Sequence, residues 1–305
     1  METSYTMVQW VAFFLTYCFI GWCYESLYVS VKNKRLVNRG FMRGPLLPLY
    51  GSGAIVMLVV TIPFRDNLIL TFLAGCVGAT TLEYITGVAM EALFKVRYWD
   101  YTDRPLNFQG HICVEATLAW GAFTIFLVRF IHAPIEHFIL GLPQIVVSVS
   151  TTLIAALGIA DFAISFKTAL DIRDVLVKLD EVRDEMERLQ KRMDVILAFA
   201  DDAREQVVLN TYERLDELSD SLEERFAHVK ELRAKITEES REELDELRIK
   251  FRVAREKRFQ LLHRKDFFRM DMLLSNPMLK SRYFKYSLED IKKAAREALE
   301  EKKRK

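Results

Sequence analysis

Hydrophobic positions form long unbroken runs over the first half of the chain and a heptad spacing over much of the second. The runs extend roughly from Met7 to Val31, Pro45 to Pro63, Asn67 to Phe94, Cys113 to Ile131 and Phe138 to Phe166. A run of about 20 apolar residues crosses a bilayer core as a helix, so the pattern predicts about five transmembrane helices. The second run is interrupted near its start by Gly51, Gly53 and two prolines. Such breaks are tolerated where neighbouring helices satisfy the backbone, which suggests a re-entrant or broken element. The N-terminal METSYTM lacks a basic region and the run after it is too long for a cleaved leader, so the first run is expected to remain as a membrane helix.

Between Gly158 and Pro277 lie 118 residues without glycine or proline. Within them Ile172, Val175, Leu179, Val182, Met186, Leu189, Met193, Ile196, Ala200, Ala203 and Val207 alternate spacings of three and four. This is a heptad seam, flanked by alternating acids and bases. Its register fails near Asn210, and a new series runs Leu215, Leu218, Leu222, Val229, Leu232, Ile236. The shift is either a stutter in one long helix or the turn of a hairpin. An intermolecular coiled coil implies a homo-oligomer, whereas a hairpin permits a monomer. Asn276-Pro277 stops the helix, and Ser287 with Asp290 opens a short final one.

These patterns give an all-α chain in three parts. Residues 1–166 form a polytopic transmembrane domain, 167–275 a cytoplasmic coiled coil or helical hairpin, and 276–305 a short basic C-terminal helix.

Charge divides the chain in the same place. Up to Phe166 there are ten basic and ten acidic residues, and from Lys167 onward 33 and 32. A net charge of +1 argues against a nucleic-acid partner, which requires an excess of basic side chains on one face. Lys32, Lys34, Arg35, Arg39 and Arg43 follow the first run, and Lys95, Arg97 and Arg104 the third. The positive-inside rule makes these loops cytoplasmic, with the N-terminus outside and the charged half inside a cell membrane. The basic segment from Lys250 to Lys265 can attract anionic lipid if it reaches the surface. Cys18, Cys23, Cys76 and Cys113 show no CxxC pair and are expected as small buried hydrophobes.

Five acids fall within the apolar runs: Glu25, Glu83, Glu91, Glu115 and Asp161. Four lie near cytoplasmic helix ends, where pairing with loop arginines or snorkelling explains them. Glu83 lies eleven residues before the end of the third run, about 16 Å deeper, where a carboxylate needs a partner or a cavity. Asn38-Arg39-Gly40 and the glycine-rich stretch to Gly51 suit an anion-binding entrance or a tight turn into the membrane. Arg97 to Glu115 gathers Arg97, Asp100, His111 and Glu115 in one loop, with Tyr98, Trp99 and Tyr101 suited to the headgroup layer. The alternation His111, Cys113, Glu115 does not suit a helix start, so no metal site or other cofactor is expected.

The segments Gly21 to Glu25, Asn38 to Gly51, Leu82 to Gly87 with Glu91 and Phe94, Tyr98 to Tyr101, Gly110 to Cys113 and Trp120-Gly121 resemble, in order, the motif set of the bacterial CmpB-like ABC-transporter type IV permeases. The resemblance spans about residues 8 to 165 and implies a multi-pass permease. No GxxxxGK[ST] loop occurs, so a separate ATPase subunit would supply energy. The expected site is a polar pocket on the cytoplasmic leaflet formed by Glu25, Asn38, Arg39, Glu83, Glu91, Arg97, Asp100, His111 and Glu115. The same groups also permit a membrane enzyme acting on lipid head groups, and the charged half permits a scaffold.

Overall fold

The computed structural model describes residues 5–213, 222–264 and 266–304, with side-chain surroundings outside 197–237, 239 and 302–304. It divides into two compact units, Met1–Leu176 with Lys265–Lys305, and Val177–Arg264.

The first unit opens with α1 (Met7–Asn33), started by a Thr6–Gln9 capping box. Four helical stretches are long and apolar enough to cross a membrane: Met7–Asn33, Leu68–Phe94, Val114–Gly141 and Gln144–Ile196. The second apolar run is different. Its helix α2 (Pro48–Thr61) has 14 residues, about 21 Å at 1.5 Å each, shorter than a bilayer core. A 3₁₀ turn, Ile62–Phe64, extends it. The chain before it lies against α1, where the Leu47 amide donates to the Cys18 carbonyl, fifteen residues before the end of α1. The interruption expected in the second run is thus a bent loop beside α1 before Pro48, while Gly51 and Gly53 lie within α2.

Helix α3 (Leu68–Phe94) starts where Asn67 accepts from the Ile69 and Leu70 amides. A short antiparallel pair follows, β1 (Asn107–Phe108) with β2 (Ile112–Cys113), around Gln109 and Gly110 at positive φ. Helix α4 (Val114–Phe126) begins at the Cys113 cap. It does not stop at Ile131 as the polar residues suggest. A π-helical turn, Leu127–Ile131, leads directly into α5 (His132–Gly141). His132 and Glu136 are accommodated because Tyr17 lies 2.8 Å from the His132 ring and Tyr5 donates to Glu136 at 2.5 Å. The break falls at Leu142-Pro143, so the last apolar helix begins at Gln144 rather than Phe138. This is α6 (Gln144–Glu213).

Small residues let α3 and α4 meet closely. A Cβ built on Gly75 would lie 2.2 Å from Thr124 Oγ1, and one on Gly121 2.4 Å from Cys76 Sγ. Gly75→Val is expected to destabilise by about 1–3 kcal/mol or more through overpacking, whereas Gly53→Ala, with nothing within 4 Å, should leave stability intact. Heat-dependent size-exclusion profiles in detergent check both.

Residues 266–304 belong to the first unit. Helix α8 (Phe267–Ser275) is capped by Asp266, so the helix expected to continue to Asn276 instead ends at His263 and restarts at Phe267. Arg97 and Lys280 exchange backbone hydrogen bonds, Asn276 donates to the Gly40 carbonyl, and Ser281 donates to the Lys95 carbonyl. Helix α9 (Lys285–Arg304) buries Leu288, Ile291 and Ala295, and Lys292 donates to the Pro277 and Leu279 carbonyls.

In the second unit α6 continues and α7 (Leu222–His263) follows, joined by the Arg192–Glu243 ion pair at 2.5 Å. Leu179 and Val182 are buried and Met186, Leu189, Met193 and Ile196 half-buried, while most neighbouring flank positions are exposed. In α7 the sheltered positions Leu244, Leu247, Phe251, Ala254, Arg258 and Leu261 also step by three and four. The remaining seam positions from Ala200 to Ile236 lie outside the described side chains.

Candidate functional site

Helix α3 carries one buried face at intervals of four: Thr71, Gly75, Ala79, Glu83, Gly87 and Glu91. Two carboxylates among small residues on a packed face cannot be there for apolar packing. Each serves a different structure.

Glu83 opens into a cavity of about 540 Å³ bounded by α2, α3, α4, α6, the 39–41 and 98–101 loops and Asn276. Its walls are largely aromatic and aliphatic, with Glu25, Arg39 and Glu83 as the ionisable carboxylate and guanidinium groups. Glu83 is 6% exposed and accepts from Tyr101 Oη at 3.0 Å and Trp120 Nε1 at 3.0 Å. Both donors are neutral. Burial, and then the Glu83 carboxylate, push the Tyr101 phenol above its ordinary pKa, which keeps it a donor. Glu25 accepts from Tyr50 Oη at 2.7 Å and stands 4.0 Å from Arg39. Arg39 donates to the Tyr98 carbonyl at 3.1 Å and to Asn276 Oδ1. Among its lining residues Ile85 at 58%, Leu93 at 44% and Phe162 at 43% are exposed, and all three are apolar.

Glu91 belongs to a separate buried lock. Arg97 Nη2 donates to Glu91 at 2.6 Å and Nη1 to Asp100 at 3.2 Å, while His111 Nε2 lies 3.1 Å from Glu91. Lys280 from the C-terminal segment pairs with Asp100 at 3.2 Å. The left-handed Lys95 turns the chain so that Arg97 points back at α3, and Gly87 makes room, since a Cβ there would lie 2.9 Å from His111 Nδ1. Burial raises the Asp100 pKa, but hydrogen bonds from Thr102 and Lys280 outweigh it and push the carboxyl down to about 2. None of Glu91, Arg97, Asp100 and His111 lines the cavity.

Burial, followed by the Arg97 guanidinium, pushes the His111 imidazole below its ordinary range against the pull of Glu91, with Arg282 and Asp100 as weaker neighbours. A histidine with a depressed folded pKa loses stability as pH falls through its unfolded value near about 6.5, because the unfolded chain takes up a proton that the folded one refuses. Acidification from about pH 8 to about pH 5 should therefore lower the thermal midpoint more in the wild type than in His111→Gln. Equal pH slopes for the two proteins would contradict this.

The single pocket expected from the sequence is thus two structures, and two of its residues join neither. Asn38 accepts from Trp22 Nε1 at 2.6 Å and donates to the Arg43 carbonyl at 2.5 Å, fixing the loop before α2. Glu115 pairs with Arg104 at 3.2 Å on the surface, both side chains more than half exposed, a geometry that contributes little. Asp161 accepts from the Gly44 amide at 2.7 Å. The polar tips of Tyr98, Trp99 and Tyr101 find internal partners at Met272, the His111 carbonyl and Glu83. His111, Cys113 and Glu115 diverge to Glu91, the Ala116 amide and Arg104. Among the described residues no group of three potential metal ligands occurs.

Sequence reasoning missed Tyr50, Trp120, Gly87 and Asn276 as parts of these structures. The four-residue step from Thr71 to Glu91 is a signal that would have paired Glu83 with a packed helix face. Nothing comparable marks Asn276, 237 residues from Arg39.

No curated protein and no solved structure matches the chain. The CmpB-type family described as "Putative ABC-transporter type IV" matches residues 12–166, just over half of the chain and all of the cavity lining except Asn276. The matched region carries both carboxylates and Arg39, and the apolar helices are those of a membrane-embedded protein. The chain therefore belongs to this family of ABC-transporter-type membrane proteins.

Proposed function

We propose that the protein is a permease-type membrane subunit whose solute site is the cavity around Glu25, Arg39 and Glu83. The observation that carries this reading is a mid-helix carboxylate facing about 540 Å³ of space with, among the described residues, only neutral donors as partners. The chain crosses five times, α2 and the loop before it together supplying the second crossing. The basic loops sit on the cytoplasmic side and the N-terminus outside, in keeping with the charge bias. A separate ATPase subunit provides the energy, in line with the family and the lack of a phosphate loop in this sequence. The heptad seams of α6 and α7 form a cytoplasmic coiled coil, available for homo-oligomerisation or for partners, and lipid surrounds the membrane unit. Chemistry on a lipid head group is not favoured, because His111 and Glu91 are turned into the lock and away from the cavity.

Native mass spectrometry of the full-length protein tests the site whatever the solute is. A small-molecule adduct should accompany the wild type and be lost in Glu83→Gln and in Gly53→Trp, which fills open cavity space. An adduct that survives both variants, or none in the wild type, would overturn the reading.

A further inference from the structure

We propose that the cavity takes a monovalent organic cation, an onium group bearing apolar substituents. This rests on the reading that the cavity is the solute site, and it names the chemical class.

Charge comes first. Arg39 stands at 4.0 Å from Glu25 and is tied to the Tyr98 carbonyl and Asn276, so its charge is largely answered. Glu83 has no Lys, Arg or His partner among the described residues, only the Tyr101 hydroxyl and the Trp120 indole. With Glu83 ionised, two carboxylates and one guanidinium leave the wall one negative charge in excess. An anion would meet Glu83 unscreened, and a neutral solute would leave a buried carboxyl that is favoured as the neutral acid, so a cation is the solute that gains from the Glu83 charge. Wall chemistry comes second. Tyr50, Trp99, Tyr101 and Trp120 line the same space, and aromatic faces attract onium groups. A hard metal ion is disfavoured, since such ions require about six or more oxygen ligands and the cavity has two carboxylates, one of them beside Arg39. Access comes third. Ile85, Leu93 and Phe162 are exposed apolar lining residues, and entry between them from hydrocarbon would select a cation with apolar bulk over a small hydrated one.

The test titrates the full-length protein in nanodiscs with tetraphenylphosphonium and, separately, with its anionic isostere tetraphenylborate, following the tryptophan emission to which Trp99 and Trp120 contribute. The phosphonium should bind saturably and the borate should not displace it. Glu83→Gln should weaken phosphonium binding by about 30-fold or more, as loss of one partner of a buried charge pair does. Gly53→Lys, which tethers an ammonium in open cavity space, should abolish it even if the glutamine variant folds poorly. Equal binding of the borate, unchanged affinity in Glu83→Gln and Gly53→Lys, or no phosphonium binding would overturn the proposal. If the co-purifying adduct is nevertheless lost in Gly53→Trp, the cavity remains the solute site and only its cation specificity falls.

Discussion

Replacing Arg97 with Met is expected to lower the stability of the membrane unit by about 3–5 kcal/mol, the usual cost of removing one partner from a buried ion pair. Arg97 is 3% exposed and holds Glu91 at 2.6 Å and Asp100 at 3.2 Å. Without it Asp100 keeps Lys280 and Thr102, but Glu91 retains only His111 nearby. The desolvation cost of Glu91 then stands nearly uncompensated. The double variant Arg97→Met with Glu91→Leu should recover much of the loss, because replacing a whole buried pair with apolar groups is often neutral. Thermal unfolding in detergent reads both. A loss below about 1 kcal/mol in the single variant would place Arg97 in a far wetter setting than its burial implies.

Asn276→Leu is expected to cost about 3 kcal/mol, since it removes an acceptor from a guanidinium and a donor from two carbonyls at once. Asn276 is completely buried, accepts from Arg39 and donates to the Gly40 and Met272 carbonyls at 2.9 Å. Leucine matches its bulk and satisfies none of these. The C-terminal segment should loosen from the loops, so trypsin should cut after Lys280 and Arg282 faster than in the wild type. Asn276→Asp, which keeps an acceptor for Arg39, should show a smaller loss. Equal effects of the two substitutions would mean that the contact with Arg39 contributes nothing.

Much of the fold is legible in the sequence because membrane crossing and heptad packing are written in local patterns. The extent of α3, from next to Asn67 to Phe94, and the buried seam residues Ile172 to Val182 follow from spacing. The boundary after α4 is not legible, because His132 and Glu136 look like loop residues until Tyr17 and Tyr5 arrive from the other end of the chain. The division of the charged groups into a cavity and a lock is equally hidden. It depends on a left-handed turn at Lys95 and on a glycine opposite His111. Asn276 reaches Arg39 only through tertiary packing, which no pattern of local polarity encodes.

The most direct measurement is an experimental structure of the full-length protein extracted from its native membrane with its solute still bound. The predicted result is density in the cavity between α2, α3 and α4, within hydrogen-bonding or ion-pairing distance of Glu83. Density placed instead in the apolar groove of about 620 Å³ beside Asp161, with the Glu83 cavity collapsed or empty, would contradict the assignment.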